Sequence, residues 1–94
     1  MTKAELTESL SKELNLSLRT TTGIISTILD SMTNALANGE NIEIRGFGSF
    51  TVRHYEPYTG RNPKTGKEIE VKAKKLPFFK VGKDLKEAVN AARN

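Results

Sequence analysis

The stretch Asn41-Ile42-Glu43-Ile44-Arg45-Gly46-Phe47-Gly48-Ser49-Phe50-Thr51-Val52 is where this chain changes its period. Residues 41–45 alternate polar and apolar, the spacing of a half-buried strand. Gly46-Phe47-Gly48 follows as a turn or bulge, and Phe50 and Val52 resume the alternation. Upstream the apolar spacing is helical. Leu6, Leu10 and Leu14 recur every four residues behind Thr2-Lys3-Ala4-Glu5, which has the form of a capping box. Asn15-Leu16-Ser17 breaks that helix, and Ser17 is placed to cap a second one from about Leu18 to Asn38. Its stripe is Ile25, Ile28, Leu29, Met32 and Leu36, with Ile24 beside it and Gly39 at the left-handed C-terminal position. The opening Thr20-Thr21-Thr22-Gly23 is poor helix former and weakens the first turns of that assignment.

Downstream, the segment Ser49 to Tyr58 alternates at first through Phe50 and Val52 and then becomes polar, with little to pack beyond about Tyr55. Thr59-Gly60-Arg61-Asn62-Pro63-Lys64-Thr65-Gly66 is dense in turn formers. Lys67 to Leu76 alternates again through Ile69, Val71 and Ala73, and Pro77 is expected to end that strand or demote it to an edge. Gly82 precedes a short helix from Lys83 to about Ala92, with Leu85, Ala88 and Val89 on one side. The predicted order is α-α-β-β-β-α in one domain, 1–94. Its parts are a helical hairpin (1–39), a three-stranded antiparallel sheet (40–82) and a C-terminal helix (83–94). The fold class is α+β. Phe47, Phe50, Phe78 and Phe79 all lie at the base of the long hairpin. About eight residues a side beyond that base give an arm, near 55–74, of roughly 25 Å.

Composition narrows the function. The 94 residues carry a net charge of +4, 36% apolar residues, no Trp and no Cys. Without Cys there is no disulfide framework, thiolate zinc site or cysteine nucleophile. No apolar run approaches the ~18 residues of a membrane span, and the charged N-terminus is not a secretory signal. An intracellular, soluble protein is expected. The charge is uneven: residues 53–83 hold nine basic and three acidic side chains, a net of +6. A concentrated basic segment is the electrostatic footprint of a polyanionic partner. So small a chain buries only about 60–65% of its unfolded surface, so a partner chain that completes the core is plausible.

Catalytic chemistry finds no support. The single His, His54, lies on a strand with no acid–base partner in sequence. Gly60 to Lys67 fails as a phosphate-binding loop: five residues separate Gly60 from Gly66, and Glu68 stands where a hydroxyl must hold magnesium. Gly46-Phe47-Gly48 lacks the third glycine of a dinucleotide fingerprint, and metal-ligand spacing is missing. No enzyme, cofactor, metal or small-molecule substrate is expected.

Three blocks carry a resemblance: Ile42-Glu43-Ile44-Arg45-Gly46-Phe47-Gly48-Ser49-Phe50, Thr59-Gly60-Arg61-Asn62-Pro63-Lys64-Thr65-Gly66, and Phe79-Lys80-Val81-Gly82-Lys83. At this spacing, over essentially the whole chain, the sequence resembles the HU/integration host factor family of bacterial histone-like proteins. The resemblance implies an intertwined dimer whose β-arms enter the minor groove of double-stranded DNA, an architectural mode of binding in which an apolar wedge kinks the duplex. Pro63 matches the tip proline that intercalates. Arg61, Asn62, Lys64 and Lys67 would hold backbone and groove edges around it. Arg53, Lys72, Lys74, Lys75 and Lys80 would meet phosphates, and Lys3 and Lys83 would touch flanking DNA. Phe47, Phe50 and Phe79 match the dimer core.

Tyr55 and Tyr58 fall where the family usually has arginines. Each forgoes a charge contact, and its ring is expected to pack on sugars or on the opposite strand. Leu18 likewise replaces a basic residue. Residues 42–45 look more like one integration host factor subunit, and Arg45 would read the shape of a narrow minor groove. The expectation is therefore an HU-like nucleoid protein with an integration-host-factor-like sheet motif, a homodimer that bends DNA largely independently of sequence. The alternatives are a site-preferring heterodimer subunit and an RNA-binding or coating protein, the latter disfavoured by the different grooves of A-form RNA.

Overall fold

The computed structural model describes residues 1–92; the expected helix over 83–94 therefore ends outside the described residues. Two compact units divide inside the second helix, one covering Met1–Ala35 and the other beginning at Leu36.

The first unit is helical. Helix α1 spans Lys3–Leu14 and opens with the predicted capping box. The Glu5 N–H donates to Thr2 Oγ1 at 3.1 Å, and the Thr2 N–H donates to Glu5 Oε1 at 3.2 Å. Asn15 ends it in the left-handed region at φ 52°, which a short polar side chain tolerates. Helix α2 spans Leu18–Ala37. Ser17 caps it, its Oγ accepting from the Thr20 N–H at 3.1 Å. The threonine-rich opening is helical after all. Thr21 and Thr22 hydroxyls donate back to the carbonyls of Ser17 and Leu18 at 2.9 and 2.8 Å, so these polar groups are satisfied within the helix.

Little of the predicted stripe is buried. Ile25 is the one buried apolar side chain among the described residues, beside buried Thr7 and Thr21. Leu6, Leu14, Leu18, Ile28 and Leu29 all remain more than two-fifths exposed. The periodicity is right, but one chain does not cover the face it defines.

Among the described residues the second unit holds five strands: β1 (Ile42–Ile44), β2 (Gly48–Tyr55), β3 (Tyr58–Arg61), β4 (Glu68–Val71) and β5 (Lys74–Val81). The sheet order is β1-β2-β5, and β3-β4 form a separate two-stranded ribbon; every pairing is antiparallel. Each long strand of the expected hairpin is thus two strands, interrupted at Glu56-Pro57 on one side and Lys72-Ala73 on the other. Pro57 has no N–H to donate, so a ladder break there is its physical signature. The register nevertheless carries across, from Tyr55↔Lys74 to Tyr58↔Val71, with two residues skipped on each side. Pro77 does not end its strand. It lies within β5, opposite Val52, and β5 is an edge of the β1-β2-β5 sheet, where proline is tolerated.

The base of this unit is stitched to its last helix, α3 (Lys83–Ala91). The Gly82 N–H donates to Phe47 O at 2.8 Å and the Leu85 N–H to Gly46 O at 3.0 Å. Gly48 must lack a side chain, because a Cβ there would sit 2.5 Å from the Phe79 ring and 2.7 Å from Lys80 O. Phe79 fills that place, 4.8 Å from the Phe50 ring and 5.7 Å from the Phe47 ring, both tilted.

Candidate nucleic-acid interface

The interface is built on the ribbon that runs from β2 and β5 through β3 and β4 to the tip. Asn62 organises the tip. Its N–H donates to Lys67 O at 2.8 Å, and its carbonyl accepts from the Gly66 N–H at 2.7 Å. Its side-chain Oδ1 accepts from the Lys64 N–H at 2.8 Å, an Asx turn with Pro63 at its centre. Gly66 closes the loop at φ 73°, and the Lys67 N–H reaches Thr65 Oγ1 at 3.3 Å. Pro63 stands exposed at the turn, its φ restricted by its own ring and its neighbours tied to Asn62. Asn62, expected to meet DNA, uses its Oδ1 to shape the tip.

The register sorts the basic residues by face, since alternate residues of a strand share one. Arg53, Lys74 and Lys80 occupy one face of the β2-β5 pair, together with Thr51 and Phe78. Lys75, opposite His54, lies on the other face with Phe50 and Phe79. Lys72 sits in the ladder break, Lys64 in the tip loop, and Lys67 is hydrogen-bonded opposite Asn62. Arg61 pairs across the ribbon with Glu68, a carboxylate neighbour that only the register reveals. Among the described residues the single ion pair joins Lys12 to Glu8 at 3.7 Å, so the ribbon's cations are not neutralised by described carboxylates.

The remaining expected residues are spread out. Arg45 is exposed in the β1–β2 turn, Lys83 opens α3, and Lys3 opens α1 in the other unit. Arg53 stacks its guanidinium 3.4 Å above the Phe78 ring. Tyr55 packs on the opposite strand, with Lys74 Nζ 5.9 Å from its ring centre. Tyr58 is 61% exposed. Phe47 and Phe79, matched to a dimer core, are 45% and 39% exposed, and Leu76, Phe78, Val81 and Val89 are also open.

An exposed cationic ribbon with a rigid proline at its tip, carried on a small aromatic sheet, has the charge and shape of a surface for a polyanion such as DNA. The family model described as bacterial DNA-binding protein matches residues 1–90, and the chain belongs to that family, the HU/integration host factor proteins. Integration host factor subunit beta of Marinomonas sp. is 48% identical over 95 residues, covering 100% of this chain and 93% of the relative. The same subunit of Photobacterium profundum is 50% identical over 93 residues, covering 98% and 97%. HU of Anabaena, solved as a cocrystal with DNA, superposes with a TM-score of 0.86 at 29% identity, covering 98% of this chain and 100% of that one. HU of Thermotoga maritima superposes at 0.68 with 35% identity, covering 95% and 98%. The family binds DNA and is not enzymatic. No helix among the described residues is long and apolar enough to cross a membrane.

Proposed function

We propose that this chain is a DNA-bending subunit of the bacterial nucleoid: paired with a second chain, it grips the minor groove with its ribbon and kinks the duplex by inserting Pro63. The observation that carries this is the tip, where an exposed proline ring is presented on a hydrogen-bonded loop between Arg61 and Lys64. A wedge unstacks a base step at a cost of a few kcal/mol, and the bent duplex offsets this by touching more basic surface. Arg53, Lys72, Lys74, Lys75 and Lys80 then meet phosphates along the strands. Arg45, Lys3 and Lys83 contact DNA beyond the kink.

The uncovered aromatic and aliphatic side chains support the second chain. One buried apolar residue among the described residues is no core for a domain, and a partner burying Phe47, Phe79, Val81 and Val89 supplies one. The relatives shift the reading of that partner. Both are named as a beta subunit, which favours a site-preferring heterodimer subunit over a sequence-independent homodimer. The fit to HU solved with DNA supports an HU-like DNA-bending protein as the second reading. Light scattering on the purified chain separates them. A stable dimer of the chain alone favours the HU-like reading, and failure to dimerise favours a different partner subunit. End-to-end energy transfer on a doubly labelled duplex tests the bend: saturating protein shortens the distance, and Pro63→Ala restores most of it.

A further inference from the structure

We propose that Phe78 is a positioning residue: its ring is a pedestal that fixes the guanidinium of Arg53 for a phosphate without neutralising it. This rests on the DNA-binding reading above. The guanidinium carbon lies 3.4 Å from the centre of the Phe78 ring. An N–H aimed into the ring would hold that carbon farther away, so the flat group lies against the ring face and its five N–H donors point outward around the edge. Phe78 pairs with Thr51, and Arg53 stands two residues further along β2 on the same face, so the contact runs diagonally across the two strands.

The packing at the base does not use this ring. Phe50 and Phe79 face the other side of the β2-β5 pair, and among the described residues no ring pairs with Phe78. Phe78 stays 38% exposed, and Leu76, directly opposite Arg53, is 44% exposed. The face they share carries three cations, Arg53, Lys74 and Lys80, and among the described residues the ladder puts no carboxylate on it. An arginine held by an ion pair would be ordered but would surrender its charge. One left free in water keeps its charge but gives up rotamer freedom when it binds. The ring orders the side chain and leaves its charge and donors for a planar, two-point contact with a phosphate. Lys74 is the looser case on the same face. Its Nζ is 5.9 Å from the Tyr55 ring, at the limit of such a contact, and its ammonium has no plane to fix, so the assignment is confined to Phe78.

The test is a double-mutant cycle on the full chain. DNA affinity is measured at several salt concentrations for wild type, Phe78→Leu, Arg53→Ala and the double variant. Leucine keeps apolar bulk at an exposed place and offers no ring face. Phe78→Leu is expected to weaken binding about threefold, the scale of one exposed cation–π contact. The slope of log affinity against log salt should stay the same, because no phosphate contact is removed. Arg53→Ala should weaken binding further and lower the slope, and on that background Phe78→Leu should change nothing more. Phe78→Tyr, which keeps the ring, should restore wild-type affinity. Arg53→Lys leaves position 78 intact and keeps the charge but loses the flat stack, so it should also lose about threefold at an unchanged slope. Wild-type affinity in Phe78→Leu or in Arg53→Lys, or equal losses from Phe78→Leu with and without Arg53, would overturn the pedestal alone. If Arg53→Ala changes neither affinity nor slope, the phosphate reading of Arg53 fails and the pedestal with it.

Discussion

The β1-β2-β5 sheet and the β3-β4 ribbon share one register and one alternation, yet opposite things hold them. At the base, Phe79 sits on Gly48 between Phe47 and Phe50, and the turn at Gly46 is hydrogen-bonded to the start of α3. Beyond Pro57 no aromatic pair among the described residues supports the ribbon; its order comes from the cross-strand ladder and from Asn62 at the tip. A lone two-stranded ribbon is marginal in water. The difference teaches that one sequence pattern serves two ends. Packing at the base supplies stability, and the outer ribbon leaves its side chains exposed, free for the contacts with DNA proposed above.

The sharpest way to break this contrast is Phe79→Ala. Removing the ring from between its two aromatic neighbours should cost about 3–5 kcal/mol, read by denaturant unfolding, and should abolish the dimer. The matching truncation Ile69→Ala on the outer ribbon should leave unfolding within about 0.5 kcal/mol, as exposed positions do. Equal effects at the two sites would remove the distinction. Gly48→Ala comes next. Its Cβ collides with Phe79 and with Lys80 O, so a loss of about 1–3 kcal/mol is expected from overpacking alone.

Function should respond in the reverse pattern. Pro63→Ala should leave the melting temperature unchanged while the DNA bend falls sharply, with nicked DNA affected least because it is already cheap to unstack. An unchanged end-to-end distance would make Pro63 only a turn residue. The smallest effect belongs to single cations. Each alanine at Lys72, Lys74, Lys75 or Lys80 should lower the slope of log affinity against log salt by about 0.9 per phosphate contact removed. A flat salt response in wild type would show that the basic segment is merely solvated. Arg53 should respond less simply, since its guanidinium also covers Phe78 and its loss removes packing as well as charge.

Much was legible from residue order alone, because it depends on neighbours a few positions apart. The capping box at Thr2, the cap at Ser17, the helix α3 and the turn around Pro63 are all local hydrogen-bonding or torsional preferences. The +6 segment and the absence of catalytic spacing needed only counting. The threonines of α2 were harder, since low propensity suggested a frayed start while back-bonding to Ser17 and Leu18 satisfies them in the helix. Tertiary structure decided what depends on pairing. Only the register puts Arg61 opposite Glu68, Lys75 opposite His54, and Gly60 opposite Ile69. Only strand order makes β5 an edge that accepts Pro77. And only burial shows that the leucine and phenylalanine stripes stay open in one chain: periodicity names the face that wants cover, whereas the cover comes from whatever surface lies against it.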